Sequence, residues 1–126
     1  MLLLDTHYLI WWALDAPQLS RNSRRIIEAA PVVYFSAASI FEIEAKRSRL
    51  KVMPKDLADF FERQAFEGLP ISIADAAKSS DFSASELPDP FDRLLIAQAS
   101  SRGLNFLTAD EKILSQKLEF VLAAND

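Results

Sequence analysis

The chain has 126 residues, half of them hydrophobic and a quarter charged, with a formal net charge of −4 and no cysteine. That length can bury one apolar core without disulfides or structural metal, and the composition is that of a folded globular domain. The missing cysteines exclude a disulfide framework, a thiolate nucleophile and a cysteine zinc site, while the acidic balance argues against broad electrostatic attachment to nucleic acid.

We therefore expect a single domain over residues 1–126, compatible with a reducing cytoplasm. Met1-Leu2-Leu3-Leu4-Asp5 has no basic leader, and an acid interrupts the apolar run early, so neither a targeting nor a membrane segment is expected. Leu2–Asp5 reads as a first strand. A helix over Thr6–Leu14 follows, stopping before Pro17, and a second spans Asn22–Ala30, closed by Pro31. The β-branched and aromatic run Val32–Ser36 predicts the next strand, and Ala37–Arg49 a helix. Beyond Pro54, a helix from Lys55 to Phe66 ends at Gly68, Ile71-Ser72-Ile73 forms a short strand, and Ala74–Phe82 a modest helix. Asp89-Pro90 opens a strongly patterned helix, Phe91–Arg102, closed by Gly103. Leu104–Thr108 is a strand, Glu111–Lys117 a last helix and Glu119–Leu122 an edge strand. Short apolar runs alternating with helical patterns are the mark of βαβ units, hence an α/β protein with a parallel sheet covered by helices on both faces.

Two of the strands end in an acid where a helix begins: Asp5 after Leu2-Leu3-Leu4, and Asp110 after Leu107-Thr108-Ala109. Ligands of open parallel sheets bind outside the carboxyl ends of the strands, so such carboxylates converge although far apart in sequence. Glu42 and Asp92 join them if their helices start at the same edge. Taken singly, each acid has a structural role. Asp5 and Asp110 suit helix caps, Ser39-Ile40-Phe41-Glu42 matches a capping box with Glu42 also one turn before Lys46 as a surface pair, and Asp92 suits the first turn after Asp89-Pro90. Taken together, four crowded carboxylates repel unless a cation lies among them, and an all-oxygen donor set suits Mg²⁺ or Mn²⁺. His7, the only histidine, cannot supply a histidine acid–base pair, and with only two glycines no glycine-rich phosphate loop can be built. Two basic clusters, Arg21, Arg24 and Arg25, and Lys46, Arg47, Arg49 and Lys51, read as solvated helix faces or as local contacts for a phosphate backbone.

The stretches Leu3-Leu4-Asp5-Thr6-His7 with Trp11-Trp12, Ser36 to Ile43, Asp89-Pro90-Phe91-Asp92-Arg93-Leu94-Leu95-Ile96-Ala97-Gln98-Ala99, and Leu107-Thr108-Ala109-Asp110 resemble, in order, the segments of the PIN-domain ribonucleases, and among these the toxins of VapBC-type toxin–antitoxin pairs. The resemblance implies a three-layer fold with a five-stranded parallel sheet between helices. It implies a metal-dependent endoribonuclease with Mg²⁺ or Mn²⁺ held by Asp5, Glu42, Asp92 and Asp110; beside them, Thr6 and Thr108 are expected to orient these ligands from behind, as supporting groups do in other metal sites. Lys46, Arg47 and Arg49 would steer the RNA substrate, and a cognate antitoxin and a homodimer would be the protein partners, in the cytoplasm and away from membranes. The chain departs from that pattern at Glu86-Leu87-Pro88, where relatives often carry histidines and a basic residue. Two other readings compete: a receiver-type phosphoacceptor module, and a PIN-like domain kept only for binding, its acids serving as caps.

Overall fold

A computed structural model describes residues 1–124; the last two residues of the expected 1–126 domain lie outside it. Five strands, β1 (Leu2–Leu4), β2 (Val33–Ser36), β3 (Glu67–Leu69), β4 (Asn105–Leu107) and β5 (Val121–Leu122), form one sheet in the order β3-β2-β1-β4-β5. Every pairing is parallel, with Leu2 opposite both Val33 and Asn105, Phe35 opposite Gly68, and Phe106 opposite Val121. Parallel strands need crossover connections, which the helices supply. These are α1 (Thr6–Leu14), α2 (Arg21–Ala29), α3 (Ala37–Ala45), α4 (Leu57–Arg63), α5 (Ile73–Lys78), α6 (Pro90–Arg102) and α7 (Glu111–Leu114).

The alternation of side chains along β1 divides the core into two layers. Leu2 and Leu4 face Leu9, Ile27, Ile43, Leu57 and Phe61, whereas Leu3 faces Leu95, Ile96, Ala99 and Ile113 on the other side of the sheet. All three β1 leucines are at most 3% exposed, as a strand covered on both faces must be. No helix among the described residues is long and apolar enough to cross a membrane.

Several boundaries follow the local chemistry read from the sequence. Ser20 caps α2, and Ala30, held extended before Pro31, ends it. Asp89 accepts the Phe91 amide, Pro90 occupies the first turn of α6, and Gly103 closes that helix at φ 63°, where a residue without Cβ is unstrained.

The third strand is a correction. It lies at Glu67–Leu69 rather than at Ile71–Ile73, and Gly68, expected as a helix stop, sits inside it. Pro70 cannot donate to the ladder, and the reciprocal Ser72–Asp75 capping box draws Ile73 into α5, where it is 91% exposed. A Cβ on Gly68 would meet the Phe35 ring at 3.4 Å, so the small residue allows the close approach of β2. The preceding helix ends at Arg63, and Ala65 takes a left-handed φ of 67°. The helix expected over Ala37–Arg49 ends at Ala45, followed by a tight 3-10 turn over Arg47–Arg49. There the Arg47 guanidinium bonds Glu44 and the carbonyls of Met53, Pro54 and Lys55, which pins the loop.

Candidate active site

Strands β1, β2 and β3 are laid down in one direction from the centre of the sheet, and β4 and β5 in the other. The order reverses between β1 and β4, and the crevice beyond their carboxyl ends is where doubly wound sheets bind ligands. Asp5 is the first residue past β1, Thr108 the first past β4, and Asp110 caps α7. The sheet order also removes the receiver-type reading, since that architecture runs 2-1-3-4-5.

Asp5 is buried at 4% exposure. One carboxylate oxygen accepts the Thr6 amide at 2.7 Å and the other accepts the Thr108 hydroxyl. Burial raises its proton affinity, the bonds from Thr108 and Thr6 and the nearby His7 offset part of that, and the Asp110 charge adds to the rise. The Thr108 hydroxyl also accepts the Asp110 amide at 3.0 Å, so one side chain ties the end of β4 to two acids. Asp110 itself accepts the amides of Lys112 at 2.8 Å and Ile113 at 3.2 Å.

Asp92, in the first turn of α6, shows how tightly these charges crowd. Burial, followed by the charges of Asp5, Asp89, Asp110 and Glu42, pushes its carboxyl up to about 7. The other three acids singled out in the sequence thus all act on this one group. Asp89 acts on it too, a contribution that reading it only as a cap had missed. Its position three residues before Asp92, on the same helical face, was the available signal.

Glu42 departs from the sequence reading. Ser36, not Ser39, caps α3 by accepting the Ala38 amide, so the Ser39–Glu42 capping box does not form. The helix starts directly off β2, which puts Glu42 in its second turn. Nor is Glu42 a surface residue: it is 8% exposed, and its carboxylate bonds the Lys46 ammonium at 3.1 Å. Ser39 points inward, where its hydroxyl bonds that of Thr6 at 2.8 Å. Thr6 therefore supports Asp5 through its amide while its side chain holds α3. The Ser36 hydroxyl donates to Gln98, whose amide donates to the Pro70 carbonyl at 3.2 Å. The Thr6–Ser39 contact ties α1 to α3, and the Ser36–Gln98 contact ties the start of α3 to α6 and the loop after β3. Ser36 and Gln98 were legible in the motif-bearing stretches, but their partners were not.

Of the cations considered for substrate, Lys46 is held by Glu42, Arg47 pins its own loop, and Arg49 is exposed. In the other basic cluster, Arg24 bonds Asp15 at 2.6 Å and lies 5.2 Å above the Trp12 ring. Two open recesses meet at Asp110. One, of about 360 Å³, is lined by Leu87, Pro88, Asp89, Asp92, Glu111 and Lys112; the other, of about 220 Å³, by Asp5, His7, Trp11 and Ala109.

Among the described residues no group of three or more acid or histidine side chains is drawn together tightly enough to hold one ion. The hydrogen bonds explain it: Asp5, Asp110 and Glu42 each have an oxygen engaged by a backbone amide, hydroxyl or ammonium. Like charges with such alternatives stand apart. The donor chemistry nevertheless fits a hard divalent cation, because all the donors are oxygens and burial together with the charges of its acidic neighbours raises the Asp92 carboxyl towards neutrality.

An α/β domain with an acid-lined crevice at the switch point is thus defined by the fold and its side chains. Residues 2–117 match the PIN domain family, and the chain belongs to it. It is 31% identical over 121 residues, 91% of each chain, to Ribonuclease VapC22 of Mycobacterium tuberculosis (strain ATCC 25618 / H37Rv). Its fold is similar to that of a toxin–antitoxin complex chain from Klebsiella pneumoniae, with a TM-score of 0.73 at 18% identity, covering 100% of this chain and 99% of that one. A chain of FitAcB from Neisseria gonorrhoeae superposes with a TM-score of 0.64 at 21% identity, covering 99% and 97%.

Proposed function

We propose that this PIN domain is a metal-dependent endoribonuclease, the toxin of a type II toxin–antitoxin pair, with Asp5, Glu42, Asp92 and Asp110 as its catalytic acids. The observation that carries the reading is Asp92, whose carboxyl is pushed up to about 7 by burial and by the charges of the other three acids and Asp89. A protein that gains nothing from a cation has no reason to bury mutually repelling carboxylates at a binding crevice. Kinship to a relative named a ribonuclease supports the substrate class.

Asp5 and Asp92 would be the principal ligands of Mg²⁺ or Mn²⁺, with Glu42 and Asp110 completing the set. When bound, the ion would lower the pKa of a water and neutralise charge on the phosphoryl group. The chain's own contribution is orientation. Thr108 aligns Asp5 and Asp110 with one hydroxyl, and the Thr6–Ser39 and Ser36–Gln98 bonds fix α3 and α6 behind Glu42 and Asp92. Attack by water on phosphorus would leave a 5′-phosphate and a 3′-hydroxyl, with no need for the RNA 2′-hydroxyl. The nature of the structural relatives supports an antitoxin partner, whose amphipathic helix would lie along the half-buried Trp12 and Phe60 on α1 and α4. A homodimer in the cytoplasm completes the reading, and the lack of cysteine is compatible with that compartment.

Incubation of the purified chain with total RNA in Mg²⁺ or Mn²⁺, with and without chelator, tests the reading. The expected outcome is cation-dependent cleavage with 5′-phosphate ends, lost in Asp5→Asn and Asp92→Asn with folding intact. No cleavage in either cation would leave a binding module whose acids serve only the fold, and cleavage indifferent to these substitutions would remove the acids from the catalytic role.

A further inference from the structure

We propose that the recess walled by His7 and Trp11 is a nucleobase subsite, taking the unpaired base of the nucleotide beside the scissile phosphodiester. The proposal rests on the nuclease reading for its substrate, but on separate observations for its site. His7 and Trp11 stand four residues apart on α1 and so share one face of that helix. Their ring centroids are 5.9 Å apart with planes tilted by 36°. Together with Asp5, Ala109 and Asp110 they line an open recess of about 220 Å³.

Trp11 is half-buried and braced from behind by Tyr8, whose ring meets it edge-on at 5.0 Å. A braced indole loses little freedom when a second ring stacks on it. His7 is exposed although it follows the buried Asp5 and Thr6. The neighbouring Trp12 is committed elsewhere, bonded to Gln64 at 3.1 Å and packed on Phe66 at 5.3 Å. Trp11 is therefore the tryptophan that borders the acids.

A phosphodiester drawn to the crevice places the attached base within reach of whatever wall adjoins Asp5 and Asp110, and on this side that wall is aromatic. Every base has a π-face, so stacking binds an unpaired base with little regard to its identity. A base held in a duplex already stacks on its neighbours and cannot enter such a recess, so the subsite selects single-stranded RNA.

The Asp92→Asn, Trp12→Phe double variant leaves Trp11 as the sole tryptophan and prevents cleavage. Titrated in Mg²⁺ with a short unpaired oligoribonucleotide, its fluorescence should be quenched. The same oligonucleotide with an abasic site at the cleavage position, or sequestered in a hairpin stem, should quench far less. By anisotropy of a labelled oligonucleotide, Trp11→Leu should weaken binding roughly 5- to 150-fold, the range for one stacked base, and His7→Ala should weaken it less. Trp11→Phe keeps a ring at the position and should retain most of the affinity; it also serves if Trp11→Leu fails to fold. Equal quenching by the abasic and intact strands, or no quenching by either, overturns the subsite. Quenching without cleavage by the wild-type chain leaves the subsite standing and removes the nuclease reading. Cleavage by the wild type with unchanged KM in both Trp11 variants removes the subsite alone. Protection of Trp11 by a protein partner but not by RNA would assign the wall to protein recognition and overturn the proposal as well.

Discussion

Two aspartates, the buried Asp75 and the half-buried Asp92, have opposite fates. Asp75, at the start of α5, is 2% exposed, yet its carboxyl is held down at about 2. Arg102 grips it with two bonds of 2.6 and 2.9 Å and is the main cause, and Ser72 adds its amide at 2.9 Å. Asp92, in the first turn of α6, is pushed the other way, to about 7, first by loss of water and then by the charges of Asp5, Asp89, Asp110 and Glu42. Burial penalises both charges; the partner decides the outcome. A buried carboxylate matched by an arginine is a structural pin, joining α5 to the far end of α6. One surrounded by acids is poised for a cation that the chain itself does not supply.

The largest expected effect falls on the pin. Asp75→Ala removes the buried carboxylate that the solvent-exposed Arg102 and the Ser72 amide hold, and should cost about 1.5–3 kcal/mol in urea unfolding, the range for hydrogen bonds to a charged group. A loss under about 1 kcal/mol would show that the pair carries little. The pin also has a pH signature. Because its folded carboxyl lies below the ordinary value, its contribution is complete above about pH 4 and drains away as pH falls towards 2.

Asp92→Asn should separate the two aspartates most sharply. Cleavage should fall by more than about 100-fold, beyond what groups outside the ligand set produce. Stability should move the opposite way. The raised carboxyl makes the folded chain prefer a proton, so the wild type loses stability as pH rises from about 4 to 7, and the penalty is complete above that. The asparagine variant should thus melt higher than the wild type at pH 8 and at about the same temperature at pH 4. Equal melting at both values would break the comparison.

Thr108→Val removes the hydroxyl shared by Asp5 and the Asp110 amide and should lower cleavage by about 10- to 100-fold while leaving the fold in place. The smallest effect is that of the ion itself. Mn²⁺ at ten times its dissociation constant should raise wild-type stability at pH 8 by about 1.4 kcal/mol, and Asp92→Asn by less. A rise of equal size in both would place the ion away from Asp92.

Much of the molecule was legible in the chain because it rests on local rules. Asp89-Pro90 with Gly103 bounded α6, Pro31 closed α2, and Leu2-Leu3-Leu4 declared a strand buried on both faces. The third strand was misplaced because Ile71 and Ile73 look more like strand residues than Glu67-Gly68-Leu69 do. Pro70 and the Ser72–Asp75 box outweighed that propensity. The Ser39–Glu42 box failed for a similar reason: the backbone had already begun α3 at Ala37, under Ser36.

The sequence by itself determined which residue types were available: acids following short apolar strands, one histidine, no cysteine, and two strand-end threonines. Its local patterns also determined most helix limits, since capping and proline effects act over only a few residues. The tertiary structure alone decided which distant groups meet. Reversal of strand order between β1 and β4 brings residues 5 and 110 to one crevice, and α6 carries Asp92 to it. Coulombic repulsion and the loss of water depend on distance through space, so neither the charge of Asp92 nor that of Asp75 could be settled before the chain was folded.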